Sequence, residues 1–150
     1  MNAAVVAGAL AVAVLNALPT ALGAWLLHRE RESRLFWPLV RCGQVAELVF
    51  VLGIGVLAAA GRHASEDLFY LYALLPVGVA LIAEQLRLTA AQAVLDKRGL
   101  EGASAVGELP AAEQRAIVAA ILRREIGVMT LSTLVVVFLA LRAASTAHGF

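Results

Sequence analysis

The chain has 150 residues, 61% of them hydrophobic and only 15% charged, and its mean hydropathy is +0.85. Soluble domains run at roughly 45–50% apolar and about 25% charged, so a water-facing globular surface is excluded, and a net charge of +1 offers no basic patch for nucleic acid. What remains is an integral membrane protein whose partner is the lipid bilayer, and its single cysteine, Cys42, excludes an intrachain disulfide and a two-thiol relay.

About 20 residues are needed for each crossing. The pattern predicts an all-α integral membrane four-helix bundle forming a single transmembrane domain over 1–150, with spans at about 3–27, 36–60, 68–90 and 120–143 and a cytoplasmic linker at 99–110. Ala3 to Leu27 carries no charge and has no basic residue before it, so it is expected to stay as a membrane helix instead of being cleaved as a leader. It closes at His28-Arg29-Glu30-Arg31-Glu32. Span two runs from Phe36 to Ala60 and ends in Gly61-Arg62-His63-Ala64-Ser65-Glu66-Asp67. Span three starts near Leu68, stays apolar to Ala83 and then turns amphipathic through Glu84, Gln85, Arg87, Gln92 and Lys97, so its helix is expected to continue out of the bilayer. Pro110 suits a first helical turn and Glu113 its positive end. A helix from there to Ala144 would be about 50 Å long, more than the hydrocarbon layer of roughly 30 Å, so its first turns project from the membrane. Ile126 to Leu141 is its uncharged part.

Basic residues resist translocation. Arg29, Arg31, Arg34 and Arg41 cluster at the first connection, and Arg87, Lys97, Arg98, Arg115, Arg123 and Arg124 flank the third, whereas the second connection has Arg62 against Glu66 and Asp67 and the C-terminal end only Arg142. Both termini are therefore expected to be extracytoplasmic, with helices three and four extended into the cytoplasm. Trp25, Phe36 and Trp37 would mark the inner interface, and Phe69, Tyr70 and Tyr72 the outer one. Arginine in place of lysine, with Ala, Val and Leu filling the spans, suggests a GC-rich bacterial genome, so the inner (plasma) membrane is the expected site of this multi-pass chain. Asn16-Ala17-Leu18-Pro19 and Ala73-Leu74-Leu75-Pro76 occupy similar places in the two halves; a parallel repeat would explain this, and so would topology alone.

The informative residues are polar groups at membrane depth. Arg41, Gln44 and Glu47 are spaced by three and share a helical face. With Phe36 at the inner boundary, Glu47 lies about 16 Å deep. A lone charge there costs at least about 2.5–3.5 kcal/mol, so Glu47 should be paired, protonated or facing water. Glu84, Gln85 and Arg87 on span three, and Arg123, Arg124 and Glu125 on span four, fall in the same inner half, and Asn16 on span one lies at a level from which it can hydrogen-bond to the set. The candidate ligand or proton site is thus Glu47, Gln44, Arg41, Glu84, Arg87, Asn16 and Glu125.

Two accounts fit such a cluster: an Arg–Glu network that only fixes helix register, or a polar cavity opening to the cytoplasm. The second predicts proton-coupled transport or binding of a small or amphipathic ligand through Glu47. Ala9, Ala13, Ala17 and Ala21, and Gly55 with Ala59, would allow close helix approach around it. Pro19 and Pro76 free backbone carbonyls and can kink their spans. A different role is a non-catalytic scaffold or accessory subunit, with a homo-oligomeric or membrane-protein partner docked on the stripe Ile117, Ile121 and Leu122, unless that stripe lies on the lipid surface.

No cofactor is expected. His28, His63 and His148 all lie outside the spans, where they cannot ligate haem within a bundle, and no zinc spacing is present. Ser132 and Thr133 lie mid-span without an intramembrane histidine, and no nucleophile elbow or phosphate-binding loop occurs; those hydroxyls are expected to bond within their helix or to a neighbour. No motif assigns the chain to a known family.

Overall fold

The computed structural model describes residues 2–31 and 33–149 and, over these, is all-helical. Five helices follow in order: α1 (Asn2–Arg29), α2 (Phe36–Ala59), α3 (Asp67–Asp96), α4 (Ala103–Gly107) and α5 (Ala111–Thr146). Four of them, α1, α2, α3 and α5, are long and apolar enough to cross a membrane. At 36 residues α5 is about 54 Å long, and α3 with 30 residues about 45 Å, so both exceed the hydrocarbon layer. Within the segment 99–110 that connects α3 to α5, α4 forms one short turn of helix.

Helices α1, α2 and α3 stop in the same way. Glu30, Gly61 and Gly99 have positive φ, and the next residue in each case donates its N–H five residues back: Arg31 to Leu26, Arg62 to Leu57 and Leu100 to Leu95. This satisfies carbonyls that the helix end leaves open. Glycine takes that left-handed conformation freely at two of the three positions, whereas Glu30 adopts it with a side chain.

Helix α5 is the central element. It packs along α1 and α3, α1 also packs on α2, and α2 meets α3 only lightly. The halves are therefore not related by a two-fold exchange, because α1 against α5 and α3 against α2 would then be equivalent contacts. Buried positions on α1 are Val5, Ala9, Val12, Asn16, Pro19, Gly23 and Leu26, with Ala13 beside Val12; the first seven step by four and three residues, the repeat that keeps one seam facing a partner helix. On α5 the seam is Ile126, Met129, Thr130, Thr133, Val136, Ala140 and Ala143. Small residues at Ala9 and Ala13 lie in it, while Ala17 and Ala21 are exposed and Gly55 meets nothing within 4 Å. The close approaches occur elsewhere. A methyl group built on Gly23 would stand 2.0 Å from Thr130 Oγ1 and 2.8 Å from Phe36, and one on Gly43 would stand 2.7 Å from Asn16 Oδ1.

The core is layered along α5. Val5, Ala9, Ile54, Phe69, Ala73 and Ala143 form one end, Val12, Ala13, Val136 and Ala140 the middle, and Leu26, Phe36, Val40, Ala83, Ile126 and Met129 the other end. Phe36 and Phe69, in the first turns of α2 and α3, are both fully buried within the bundle. A fourth cluster joins Val94, Leu95 and Ile117 with Leu100, Val106, Leu109 and Ile121, so the extensions of α3 and α5 close on each other with α4 between them. The stripe at Ile117 and Ile121 is thus occupied by the chain itself. Pro19 and Pro76 are buried inside continuous helices.

Candidate functional site

Buried residues on α2 are Phe36, Val40, Gly43, Glu47 and Ile54, so Glu47 occupies a place in a stripe that otherwise takes apolar or small residues. Its side chain is turned inward by that register and retains 2% exposure. Opposite stands Asn16 of α1, fully buried. The Asn16 amide donates to the carbonyl of Val12 at 3.1 Å and hydrogen-bonds to Glu47. Gly43 makes this meeting possible, because a Cβ there would collide with the Asn16 amide. Two acceptors in this contact, Glu47 Oε2 and Asn16 Oδ1, are buried without a hydrogen-bond partner, an arrangement that costs roughly 1–3 kcal/mol for each neutral group.

One turn and two turns toward the N-terminal end of α2 lie Gln44 and Arg41, on the flank facing α3. Arg41 Nη1 donates to Gln44 Oε1 at 2.5 Å and to Glu84 Oε1 at 2.6 Å, and Gln44 Nε2 donates to the same Glu84 oxygen at 3.0 Å. The other Glu84 oxygen lies 3.3 Å from Arg87 Nε, an ion contact without hydrogen-bond alignment. The Arg87 guanidinium sits 5.0 Å from the centroid of the Trp37 ring, a cation–π distance. Two arginines and two glutamates are therefore held within two helices, and three of the four are tied to one another while Glu47 is tied to none of the other three. The network is half exposed at Arg41, whose side chain keeps 52% of its surface, so its ion pairs contribute little to stability by themselves.

Between α2 and α3 these side chains line a groove of about 190 Å³, polar on one side with Arg41, Gln44, Glu47 and Glu84, and apolar on the other with Leu48, Val77, Ala80 and Leu81. It exists because α2 and α3 are only lightly packed, and Leu48 and Leu81 at its mouth are exposed. In a bilayer this mouth opens sideways toward lipid. Its volume lies below the roughly 300–1,000 Å³ of drug-sized sites, which restricts it to a small ligand or to the head of a larger one. The arrangement offers a carboxyl without a counter-charge, a fixed Arg–Glu–Gln rim and an apolar wall.

Of the residues singled out from sequence, Arg41, Gln44, Glu47 and Glu84 line one groove, Asn16 reaches Glu47 from α1, and Arg87 joins through Glu84. Glu125 is not brought to this place. It is half-buried on α5, which barely meets α2, and among the described residues its side chain forms no ion pair or hydrogen bond. Arg123 pairs with Glu30 at 2.7 Å instead. Sequence reasoning missed Gly43, Trp37 and the groove wall; only Gly43, four residues before Glu47 and hence on its face, carried a usable signal. Away from the groove, Thr20 Oγ1 and Thr133 Oγ1 lie 2.9 Å apart across α1 and α5, and Thr133 also donates to the carbonyl of Thr130. Among the described residues no group of three or more His, Cys, Asp or Glu side chains is gathered as a metal site would need.

No protein family, curated protein or solved structure matches the chain.

Proposed function

We propose that this chain is a multi-pass protein of a bacterial inner membrane that binds a small amphipathic cation in the groove between α2 and α3 and exchanges it for a proton on Glu47. The observation that carries this reading is the Glu47 carboxyl itself, 2% exposed, with Oε2 unpartnered and no cation in reach among the residues that line the groove apart from Arg41, which is engaged by Glu84. A carboxyl at such depth changes its charge only with a proton or a cation beside it. An ion-pair network kept solely for register would not leave that group out of its pairing. The polar rim would hold the head of the ligand while Leu48, Val77 and Leu81 cover its apolar part, and the lateral opening would admit it from the bilayer.

The alternative role, a scaffold or accessory subunit docked on the inner extensions, is served less well. Ile117 and Ile121, the centre of the surface it requires, pack against α3 and α4.

Exchange has a definite linkage. Because a proton and the cation compete for one carboxylate, binding weakens as pH falls, by up to about tenfold in Kd per pH unit when a full proton is exchanged. Equilibrium binding of benzyltrimethylammonium, a small cation with a charged head and an apolar ring, to the detergent-purified protein across a pH series tests this. The expected result is a steep pH dependence that disappears in Glu47→Gln, with helicity unchanged. Equal, pH-dependent binding by the wild type and by Glu47→Gln would remove Glu47 from the mechanism.

A further inference from the structure

Charge in the α2–α3 groove is unevenly placed. Arg41 and Arg87 both pair with Glu84, at 2.6 and 3.3 Å, and among the described residues no second carboxylate pairs with either arginine. The inner end of the groove therefore holds two positive charges against one negative. Glu47, deeper in the groove, is a carboxylate without a counter-charge once its proton leaves. The four charges balance as a set but are separated along the groove, with excess cation at the Glu84 level and an anion at Glu47. Arg87 leans on the Trp37 ring and does not line the groove, so Arg41 is the cation that a ligand meets. Its guanidinium is only half used. The bonds to Gln44 and Glu84 both leave from Nη1, and among the described residues Nε and Nη2 donate to nothing. Those two N–H groups form the side-on fork of a guanidinium, the geometry that grips an acid group at two points, and the side chain is 52% exposed.

We infer that the cation exchanged at Glu47 is the ammonium end of a small zwitterion, whose carboxylate is held by the Nε and Nη2 fork of Arg41. This rests on the proposed exchange and adds an acidic group to its ligand. A simple cation on Glu47 would neutralise that carboxylate and leave the excess positive charge of the rim facing it across a medium of low dielectric, where like charges repel strongly. A simple anion on Arg41 would meet the same difficulty with Glu47. A ligand bearing both charges satisfies both ends. The spacing is set by the helix. Gln44, to which Arg41 is bonded, stands three residues before Glu47, so the guanidinium lies about one turn, roughly 5 Å, from the Glu47 level. An ammonium and a carboxylate carbon four bonds apart span about 5 Å in an extended chain. The groove of about 190 Å³ has room for such a molecule, and Leu48, Val77, Ala80 and Leu81 offer an apolar wall to its methylene linker and N-methyl groups.

Calorimetric titration of the detergent-purified protein with 4-(trimethylammonio)butanoate and with its methyl ester tests this, at constant ionic strength. The ester keeps the ammonium, the linker and the carbonyl and lacks the negative charge. The wild type should bind the zwitterion about tenfold or more tighter than the ester, the worth of one charge-assisted hydrogen bond. The ratio between the two ligands, whatever the absolute affinities, should fall to about one in Arg41→Gln and be partly recovered in Arg41→Lys, which keeps the charge without the fork. Equal binding of the two ligands by the wild type overturns the inference, as does a tighter hold on the ester or a preference that survives in Arg41→Gln. The wild-type ratio decides the matter even where Arg41→Gln fails to fold. Ester binding that depends on pH and on Glu47, without any preference for the zwitterion, sinks this inference and leaves the exchange standing. Binding of neither ligand sinks both.

Discussion

Gly43→Ala is the sharpest structural test of how Glu47 is held. The added methyl would stand 2.7 Å from Asn16 Oδ1, 3.0 Å from its Cγ and 3.1 Å from its Nδ2, and these atoms belong to the amide that bonds to Glu47. The amide has to withdraw or α1 and α2 have to separate. Overpacking of this kind costs about 1–3 kcal/mol, and loss of the bond to a buried carboxyl adds about 1 kcal/mol or more. Alanine returns up to about 1 kcal/mol through helix propensity, leaving a net cost of about 1–3 kcal/mol. The measurement is reversible unfolding in mixed micelles of Gly43→Ala, Asn16→Ala and the double variant. Since Asn16→Ala removes every atom in the clash, Gly43→Ala should be nearly free in that background, giving a coupling of about 1–3 kcal/mol in the cycle. An equal cost of Gly43→Ala in both backgrounds would refute the account of the Gly43–Asn16–Glu47 contact.

Other outcomes follow from the same geometry. Gly23→Ala should cost about 1–3 kcal/mol in the same unfolding assay, because its methyl would meet Thr130 Oγ1 at 2.0 Å and Phe36 at 2.8 Å, whereas Gly55→Ala, with nothing within 4 Å, should cost nothing. Glu84→Gln removes the negative charge that Arg41 and Arg87 share and one of the two carboxylate acceptors; the expected loss is at most about 1 kcal/mol and shrinks as salt is raised, and a larger, salt-independent loss would mean that the network is structural after all. Single cysteines placed at Ser33 and Ser104 in a Cys42→Ser background should be shielded from an impermeant thiol reagent added to intact cells, and cysteines at Ser65 and Ser145 should be labelled. The reverse pattern would invert the expected orientation.

Much of this arrangement was legible in the sequence, for reasons that also explain what was not. Charged and amide side chains stand out against apolar spans, so Arg41, Gln44 and Glu47 could be placed on one face by spacing alone, and counting 1.5 Å per residue from each end brought Asn16 and Glu84 to the same depth. That Phe36 and Phe69 turn into the bundle was not legible, because aromatic residues mark depth but not rotation about the helix axis. In a soluble bundle the polar face supplies that rotation. Here lipid-facing and core-facing positions are both apolar, and lipid is as good a solvent for leucine as a neighbouring helix is. The same ambiguity made Ala17 and Ala21 look like packing residues although they are exposed, and hid Gly23 and Gly43, which step with the seam by three and four. The stripe at Ile117 looked vacant because its partners, Val94, Leu95, Val106 and Leu109, lie on α3 and in the segment before α5, distant along the chain or broken by Gly99 and Gly102.

Infrared difference spectroscopy of the carboxyl C=O stretch tests the central claim most directly, since it reads whether Glu47 trades a proton for a cation. Adding benzyltrimethylammonium to the wild-type protein should remove a band of protonated carboxylic acid and raise carboxylate bands, and Glu47→Gln should show neither change. A difference spectrum without a carboxylic-acid band, or one that persists in Glu47→Gln, would contradict the exchange.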